Sequence, residues 1–564
     1  MQLYKNFCKE TTDENGKLTG FELVFPENYN FGYDVVDKMA ELVPNDTAVV
    51  WTNPEKEEKI FTYSDISKLS NKAANVFRNH GIKKGDKVLV ILKRNYEYWY
   101  VAPALHKLGA VIIPATNLLT QSDISYRVNT AGIKAAVCTP DETTAEDTLA
   151  VASQPNTLET VFVPRRQIFG AVDFTEEVEN APDTLERVET KAEEPMVIYF
   201  TSGTTGYPKA VEHNHIYTLG HIITAKYWQC VKDGGLHLTV AETGWAKASW
   251  GKIYGQWLCG SAVMVYDFDK FSPGKLLRIM EKYKVTTFCA PPTVYRYFIK
   301  RGMNKYDLSA LSHLTTAGEA LNNEVFEEVF KQTGIELCEG FGQTESVLML
   351  ANLKGDKAIA GSMGKPTPLY DVRIVDDECN EVKQGEVGEV VVFPPKDRKQ
   401  HGIFITYYNN ENLYEKVWRH GVYHTGDTAY KDENGYFWYV GRADDLIKTR
   451  GFRVGPFEVE NVLMQYPNVL ECAVIGVPDK DRGQAIKAIV KMTDGAPHDK
   501  ELDPSGKIRA KDLRGQELEN KIKTFCNKRM ASYKWIQHLE IVDEFPKTIS
   551  GKIKRTDLRE NHKA

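Results

Sequence analysis

The stretch VIYFTSGTTGYPKAVEH, residues 197–213, decides how the chain is read. An apolar run, the pattern of a buried strand, passes directly into Thr201, Ser202, Gly203, Thr204, Thr205 and Gly206, and Lys209 follows. Glycines let backbone N–H groups turn toward an anion, hydroxyls add donors, and a lysine supplies positive charge. The loop suits phosphate groups. It is not the P-loop of kinases and GTPases, because G-x-x-x-x-G-K-[ST] is absent and Lys209 is followed by Ala210.

Outward from this loop the chain alternates between helical and strand-like patterns. From Ser64 to Gly81, Ile66, Leu69, Ala73, Val76 and Phe77 fall on one helical face, with Ser64 placed to cap the start and Gly81 to end it. KVLVIL at 87–92 reads as a strand, Tyr96 to Leu108 as a helix, and AVIIPA at 110–115 as the next strand. Alternation returns at LLRIMEKYKVTTFCAPP (276–292), with a helix ending near Lys284, and at HLTTAGEALNNEVFEEVFKQTGIELCEGFG (313–342). Such units predict an α/β fold with helices on mostly parallel sheets and ligands at the carboxyl ends of strands. Near residue 440 the texture changes, in GYFWYVGRADDLIKTRGFRVGPFEVE (435–460). Two short β-like runs, ECAVIGVP and AIKAIVKM, then predict a small α+β domain, with Thr493 to Arg514 expected as a solvated loop.

Composition narrows the class. The 564 residues are 42% apolar and 26% charged, the make-up of a globular protein of at least two domains. A formal charge of -6 offers no basic field for nucleic acid. The opening MQLYKNFCKE lacks the apolar core of a signal peptide, and no run reaches the ~18 apolar residues of a membrane helix, so a cytoplasmic location is expected. Nine scattered cysteines, never spaced C-x-x-C, predict buried free thiols and not a zinc site or a disulfide framework.

With its loop of the form [ST]SG[ST]TGxPK, the chain resembles the adenylate-forming superfamily of acyl-CoA synthetases, firefly luciferase and peptide-synthetase adenylation domains. Other segments match in the same order, from about Asn30 to Arg555, most closely in the medium-chain acyl-CoA synthetase subgroup. The resemblance implies an ATP-dependent acyl-CoA synthetase with a large N-terminal domain, 1–443, and a small mobile C-terminal domain, 444–564, hinged at Asp444. Ala317 to Ala320, with Gly318 and Glu319, and Glu339-Gly340-Phe341 would bind adenine. Gly342 and Gln343 complete that stretch. Thr344 would contact phosphate, and Glu345 would hold Mg²⁺. Asp427 in YHTGD would bind ribose with Arg442 as partner. Lys552 in PKTISGKIKR would be the adenylation lysine.

For the second substrate, coenzyme A, the resemblance implies that Gly451 and Phe452 line the pantetheine tunnel, that Arg453 reaches nucleotide phosphate, and that Arg482 contacts CoA. Arg450 departs from the small hydroxyl residue usual at its position, and ASYKW (531–535) lacks the usual proline before its tyrosine. Where acetate-specific relatives place a tryptophan before Q-T-E, this chain has Gly342, so an open pocket floor is expected, walled by Trp245, Trp250 and Lys252. Acids longer than acetate, of short to medium or branched chain, are the implied substrates, with benzoate-like acids as the alternative. A carrier-protein loading module and a catalytically silent scaffold are the further readings, and the sequence leaves the oligomeric state undetermined.

Overall fold

The computed structural model describes residues 2–201, 208–319, 321–396, 399–450, 452–493, 498–502, 508–512, 515–548 and 553–561, without the side chains of 142, 453, 498–502 and 508–512. The chain forms two compact units, 1–372 with 392–423, and 373–391 with 424–564.

Besides the antiparallel pair Cys8–Thr12 and Leu18–Leu23, the first unit carries two large sheets among the described residues. One has the spatial order Thr406–Tyr407, Lys209–Asn214, Pro195–Thr201, Val111–Pro114, Lys87–Ile91, Ile133–Cys138, Thr160–Val163, Val172–Asp173. Its strands run parallel from Pro195–Thr201 to Val172–Asp173, and the two at the other edge are antiparallel. The second sheet has a parallel centre, Ala262–Tyr266, Leu236–Thr239, Thr287–Cys289, His313–Thr316 and Leu337–Phe341, as the alternating pattern predicts. Apolar side chains pack into a core on one face of each sheet, among them Leu89, Ile113, Ile133 and Val161 for the first and Met264, Phe288, Leu314 and Leu337 for the second.

The helix expected from Ser64 spans Tyr63–Asn79, and its cap is Thr62, not Ser64. Asp65 explains the shift: its amide donates to the Thr62 hydroxyl and its carboxylate accepts the Thr62 amide, a reciprocal pair that Ser64 has no acid in place to form. Ile66, Ala73, Val76 and Phe77 are buried as the spacing requires. The helix expected to end near Lys284 spans Pro273–Lys282.

In the second unit the strands Val469–Asp479 and Gly483–Met492 pair antiparallel, and His538–Ile541 joins the latter in parallel. Val474, Ile486 and Val490 face Leu463, Ile522 and Cys526. The expected loop over 493–514 contains a hairpin instead, His498–Leu502 against Ile508–Asp512. Its HDKEL strand has no apolar alternation by which sequence could mark it. Residues 373–391 belong to this unit because Asp371–Val375 and Gly388–Phe393 join the sheet of Tyr423–Lys431 and Phe437–Arg442.

All nine cysteines are unpaired, and burial pushes the Cys138 thiol up to about 12. Among the described residues no helix is long and apolar enough to cross a membrane.

The first unit also buries His213, His215, His221 and His237 completely. Burial pushes His213 and His215 down to about 4, and His221 and His237 down to about 3. The unfolded chain protonates these rings near pH 6.5, so between that pH and 4 it binds more protons than the folded chain. Stability is therefore complete above pH 6.5 and is lost as pH falls toward 4, by on the order of 3 kcal/mol for each ring held down to about 4. Calorimetric melting should show the decline between pH 6.5 and 4.5, shallower in His215→Gln; a flat profile over that range contradicts it.

Candidate functional site

Thr201 and Lys209 are direct cross-strand partners on the antiparallel strands Pro195–Thr201 and Lys209–Asn214. The phosphate-type loop therefore leaves and re-enters the sheet at one point. Ser202, Gly203, Thr204, Thr205 and Gly206 themselves lie outside the described residues.

The edge strand Thr406–Tyr407 adds the next layer. Val211 pairs with Tyr407, which lies beneath the Lys209 ammonium at 5.5 Å from the ring centroid. The Tyr407 hydroxyl donates to Glu345 Oε1 at 2.8 Å. Glu345 is held from the same segment, since its carbonyl accepts the Phe404 amide at 2.7 Å. His213 Nε2 donates to the Thr344 carbonyl at 2.7 Å, and Tyr423 donates to Gln343 Oε1 at 2.7 Å. The depressed His213 is neutral, so it links the two sheets as a hydrogen-bond donor without adding charge. Sequence reasoning missed Tyr407, His213 and Tyr423, whose roles come from pairing between distant segments.

Of the two stretches expected at adenine, Ala317 to Glu319 follows the carboxyl end of the strand His313–Thr316, and Glu339 to Phe341 ends the neighbouring parallel strand Leu337–Phe341. Gly318 has φ +95°, open to glycine and strained for other residues, and Lys247 donates to the Ala317 carbonyl at 2.6 Å. Glu319 accepts the Thr293 hydroxyl at 2.7 Å; Ala320 lies outside the described residues. Burial holds the Glu339 carboxyl well above the usual carboxylate range. Gly340 sits between Trp228 and Leu348, and Phe341 pairs with Leu350.

The opening expected behind Gly342 is filled. A Cβ there would lie 2.6 Å from the Trp250 ring and 2.6 Å from the Val347 carbonyl oxygen, so glycine is what lets the indole close up to the backbone. Trp250 is the next-to-last residue of the short helix Lys247–Gly251, where a Cβ on Gly251 would meet the Thr239 hydroxyl. Trp245 is half-buried just before that helix. Lys252 is buried, with its ammonium 5.8 Å from the Trp99 ring; burial, with Arg94 nearby, pushes it down to about 7.

In the second unit Asp427 and Arg442 are direct cross-strand partners, joined at 3.2 Å. Asp427 also accepts the Tyr439 hydroxyl at 3.3 Å. Gly426 makes room for the guanidinium, since a Cβ there would lie 2.7 Å from Arg442. Asp444 follows, its carboxylate 3.8 Å from Arg442 Nε. Phe452, half exposed, stacks on Tyr533 with centroids 4.5 Å apart, a partner the sequence did not indicate. The Arg450 amide donates to the Arg482 carbonyl at 2.9 Å, and Arg450 has φ +51°. Gly451, Lys552 and the Arg453 side chain lie outside the described residues.

Residues 36–407 match the family model of the AMP-binding enzyme, and 458–552 that of the AMP-binding enzyme C-terminal domain. The acyl-coenzyme A synthetase ACSM3, mitochondrial, of Mus musculus is 35% identical over 570 residues, covering 99% of this chain and 95% of that protein. ACSM4, mitochondrial, of Homo sapiens is 37% identical over 542 residues, covering 95% and 91%. Among solved structures, the anthranilate CoA ligase AuaEII in complex with anthranoyl-AMP superposes with a TM-score of 0.83 at 26% identity, over 96% of this chain and 98% of that one. An acyl-CoA synthetase of Brucella canis superposes at 0.70 with 26% identity, covering 95% and 94%.

The chain belongs to the AMP-binding enzymes and, within them, to the acyl-coenzyme A synthetases. It is an AMP-forming acid–thiol ligase with ATP and coenzyme A as co-substrates.

Tyr407→Phe removes the hydrogen bond that the Tyr407 hydroxyl gives Glu345 Oε1. A bond to a charged group contributes about 1.5–3 kcal/mol, so kcat/KM for ATP should fall about tenfold or more, while the melting temperature falls by only a few degrees. An unaltered ATP dependence at limiting Mg²⁺ would count against this role of Tyr407.

Proposed function

We propose that the enzyme activates a short- to medium-chain or branched aliphatic acid. The acid's carboxylate attacks the α-phosphorus of ATP, giving acyl-AMP and pyrophosphate. The CoA thiol then attacks the acyl carbon, giving the thioester and AMP, with its proton released. The observation that carries the reading is the Thr201–Lys209 pair, backed through Tyr407 by Glu345, at the mouth of the phosphate-type loop.

Two anions must meet in the first step, and catalysis consists of positioning them and offsetting charge. Thr201 to Gly206 and Lys209 supply donors and a cation, and Lys552 supplies a second cation. Glu345 suits Mg²⁺: Oε1 accepts from Tyr407, and Oε2 has no hydrogen bond among the described residues. One carboxylate with substrate phosphates is a usual set for that ion, and when bound it would neutralise phosphate charge. Asp427, its oxygens oriented by Arg442 and Tyr439, would take the ribose hydroxyls.

For the second step, residues 444–564 would rotate about Asp444 relative to 1–443. Rotation would exchange Lys552 for the loop of Gly451 and Phe452, with Arg453 toward nucleotide phosphate and Arg482 toward CoA. The interval 408–457 between the two family matches contains this proposed boundary, although residue 444 lies inside the second compact unit.

Trp250, having taken the space at Gly342, would set the depth of the acyl pocket, with Trp245 and Lys252 nearby. The cytoplasm is the proposed compartment; the unpaired cysteines suit any reducing one, and the relatives are named as mitochondrial. Fractionation of cells expressing the full chain decides it.

A panel of acids with ATP, Mg²⁺ and CoA, read as pyrophosphate release, tests the substrate class. C4 to C8 or branched acids should saturate the enzyme and benzoate should not; preference for benzoate establishes the aryl alternative. Adenylate that CoA fails to discharge points to a carrier-protein substrate, and absence of AMP with every acid to a silent scaffold. Trp250→Ala should move the kcat/KM optimum to longer acids, at about 1–3 kcal/mol per methylene accommodated. An unmoved optimum removes Trp250 from the pocket.

A further inference from the structure

The described residues on either side of Lys552 are anchored. Before it, Lys547 bridges Ile553 as an antiparallel pair, the Lys554 amide donates to the Pro546 carbonyl at 2.8 Å, and Lys547 Nζ lies 2.7 Å from Glu471. Phe545, Ile553 and Leu558 pack on Ala473, Ile475 and Ile489 of the small sheet.

After it, the helix Arg555–Glu560 places two guanidinium groups four residues apart, on one face. Arg555 grips Glu460 with one nitrogen, Nη2, at 2.7 and 2.9 Å from the two carboxylate oxygens, and its Nη1 stands 3.8 Å from Asp445. Arg559 donates to the Asp445 carboxylate and, at 3.4 Å, to the carbonyl of Asp444. Asp445 and Glu460 are largely withdrawn from water, with side-chain exposures of 11% and 10%. Removal of one member of such a buried ion pair leaves its partner without compensation.

We infer that Asp445, Arg555 and Arg559 form an ionic knot that makes the Lys552 segment turn as one body with the backbone beyond Asp444. This rests on the roles proposed above for Lys552 and Asp444. The apolar anchor fixes the segment to the sheet, and the knot fixes it to the residue after the hinge. A rotation begun at Asp444 then reaches Lys552 without being absorbed by local slack. The three are positioning residues for adenylation only, because Lys552 has no part in thioester formation.

The two half-reactions separate this role from a structural one. Arg559→Ala and Asp445→Asn should slow pyrophosphate release in the absence of CoA by about 10- to 100-fold in kcat, as expected for a misplacement of about 1 Å, with KM for ATP changed less than about threefold. Conversion of supplied acyl-AMP and CoA to thioester should stay within about twofold of the unsubstituted enzyme, and Arg559→Lys should recover most of the adenylation rate. Arg559 is the safer position should Asp445→Asn fail to fold, and its melting temperature is recorded alongside. Equal slowing of both half-reactions, or of neither, overturns the knot. Lys552→Ala is the control: retention of adenylation by that variant defeats the assignment of Lys552, whereas its loss together with intact adenylation in Arg559→Ala defeats the knot alone.

Discussion

A phenol ring placed between an ammonium and a carboxylate is the constraint from which the first unit's site follows. Lys209 lies over Tyr407, and Tyr407 donates to Glu345, so the cation and the anion are each oriented by one side chain. Geometry of this kind serves phosphate chemistry, which needs a cation for oxygen atoms and an oxygen ligand for a metal within the same space. The arrangement depends on register. Lys209 opposes Thr201 and Tyr407 opposes Val211, and slipping either strand by one residue would turn these side chains to the opposite face.

The sheet itself explains why this occurs at one edge. Pro195–Thr201 runs parallel to Val111–Pro114 on one side and antiparallel to Lys209–Asn214 on the other. The chain doubles back at the carboxyl end of a parallel sheet, where strand ends face solvent and crossover connections begin. His213, on the returning strand, then reaches the Thr344 carbonyl beyond the second sheet's Leu337–Phe341 strand. Burial keeps that imidazole neutral, so the joint between the sheets leaves the charge balance of the site to Lys209 and Glu345.

The sequence made visible what is encoded within a short span. The strand before Thr201, the helix face of Ile66 to Phe77 and the strands ending at Thr316 and Phe341 are local patterns, and local patterns survive folding. The grouping of Asp427 with Arg442 was expected from the resemblance, and the register of two strands joined by a short turn accounts for it. What escaped notice is non-local. Tyr407 reaches Glu345 across 62 positions, and residues 373–391 leave the first unit only because their strands pair with partners past residue 423. The Thr62 cap was missed for a smaller reason, the deciding acid being Asp65 and not the serine itself.

Gly342 shows why an absent side chain is a poor guide to an empty space. Interiors pack densely, so a glycine in a buried segment is commonly the trace of a neighbour that has moved in. Here the neighbour is Trp250, itself positioned by the close approach of Gly251 to Thr239. On the proposed reading the phosphate-facing groups follow from strand register, whereas acyl selectivity would follow from a few side chains whose packing can change without disturbing the sheets. Ligases named for anthranilate and for benzoate share this fold, superposing with TM-scores of 0.83 and 0.79 on this chain. On the same proposed reading the fold would fix where activation takes place, and the packing around Trp250 would set which acids fit.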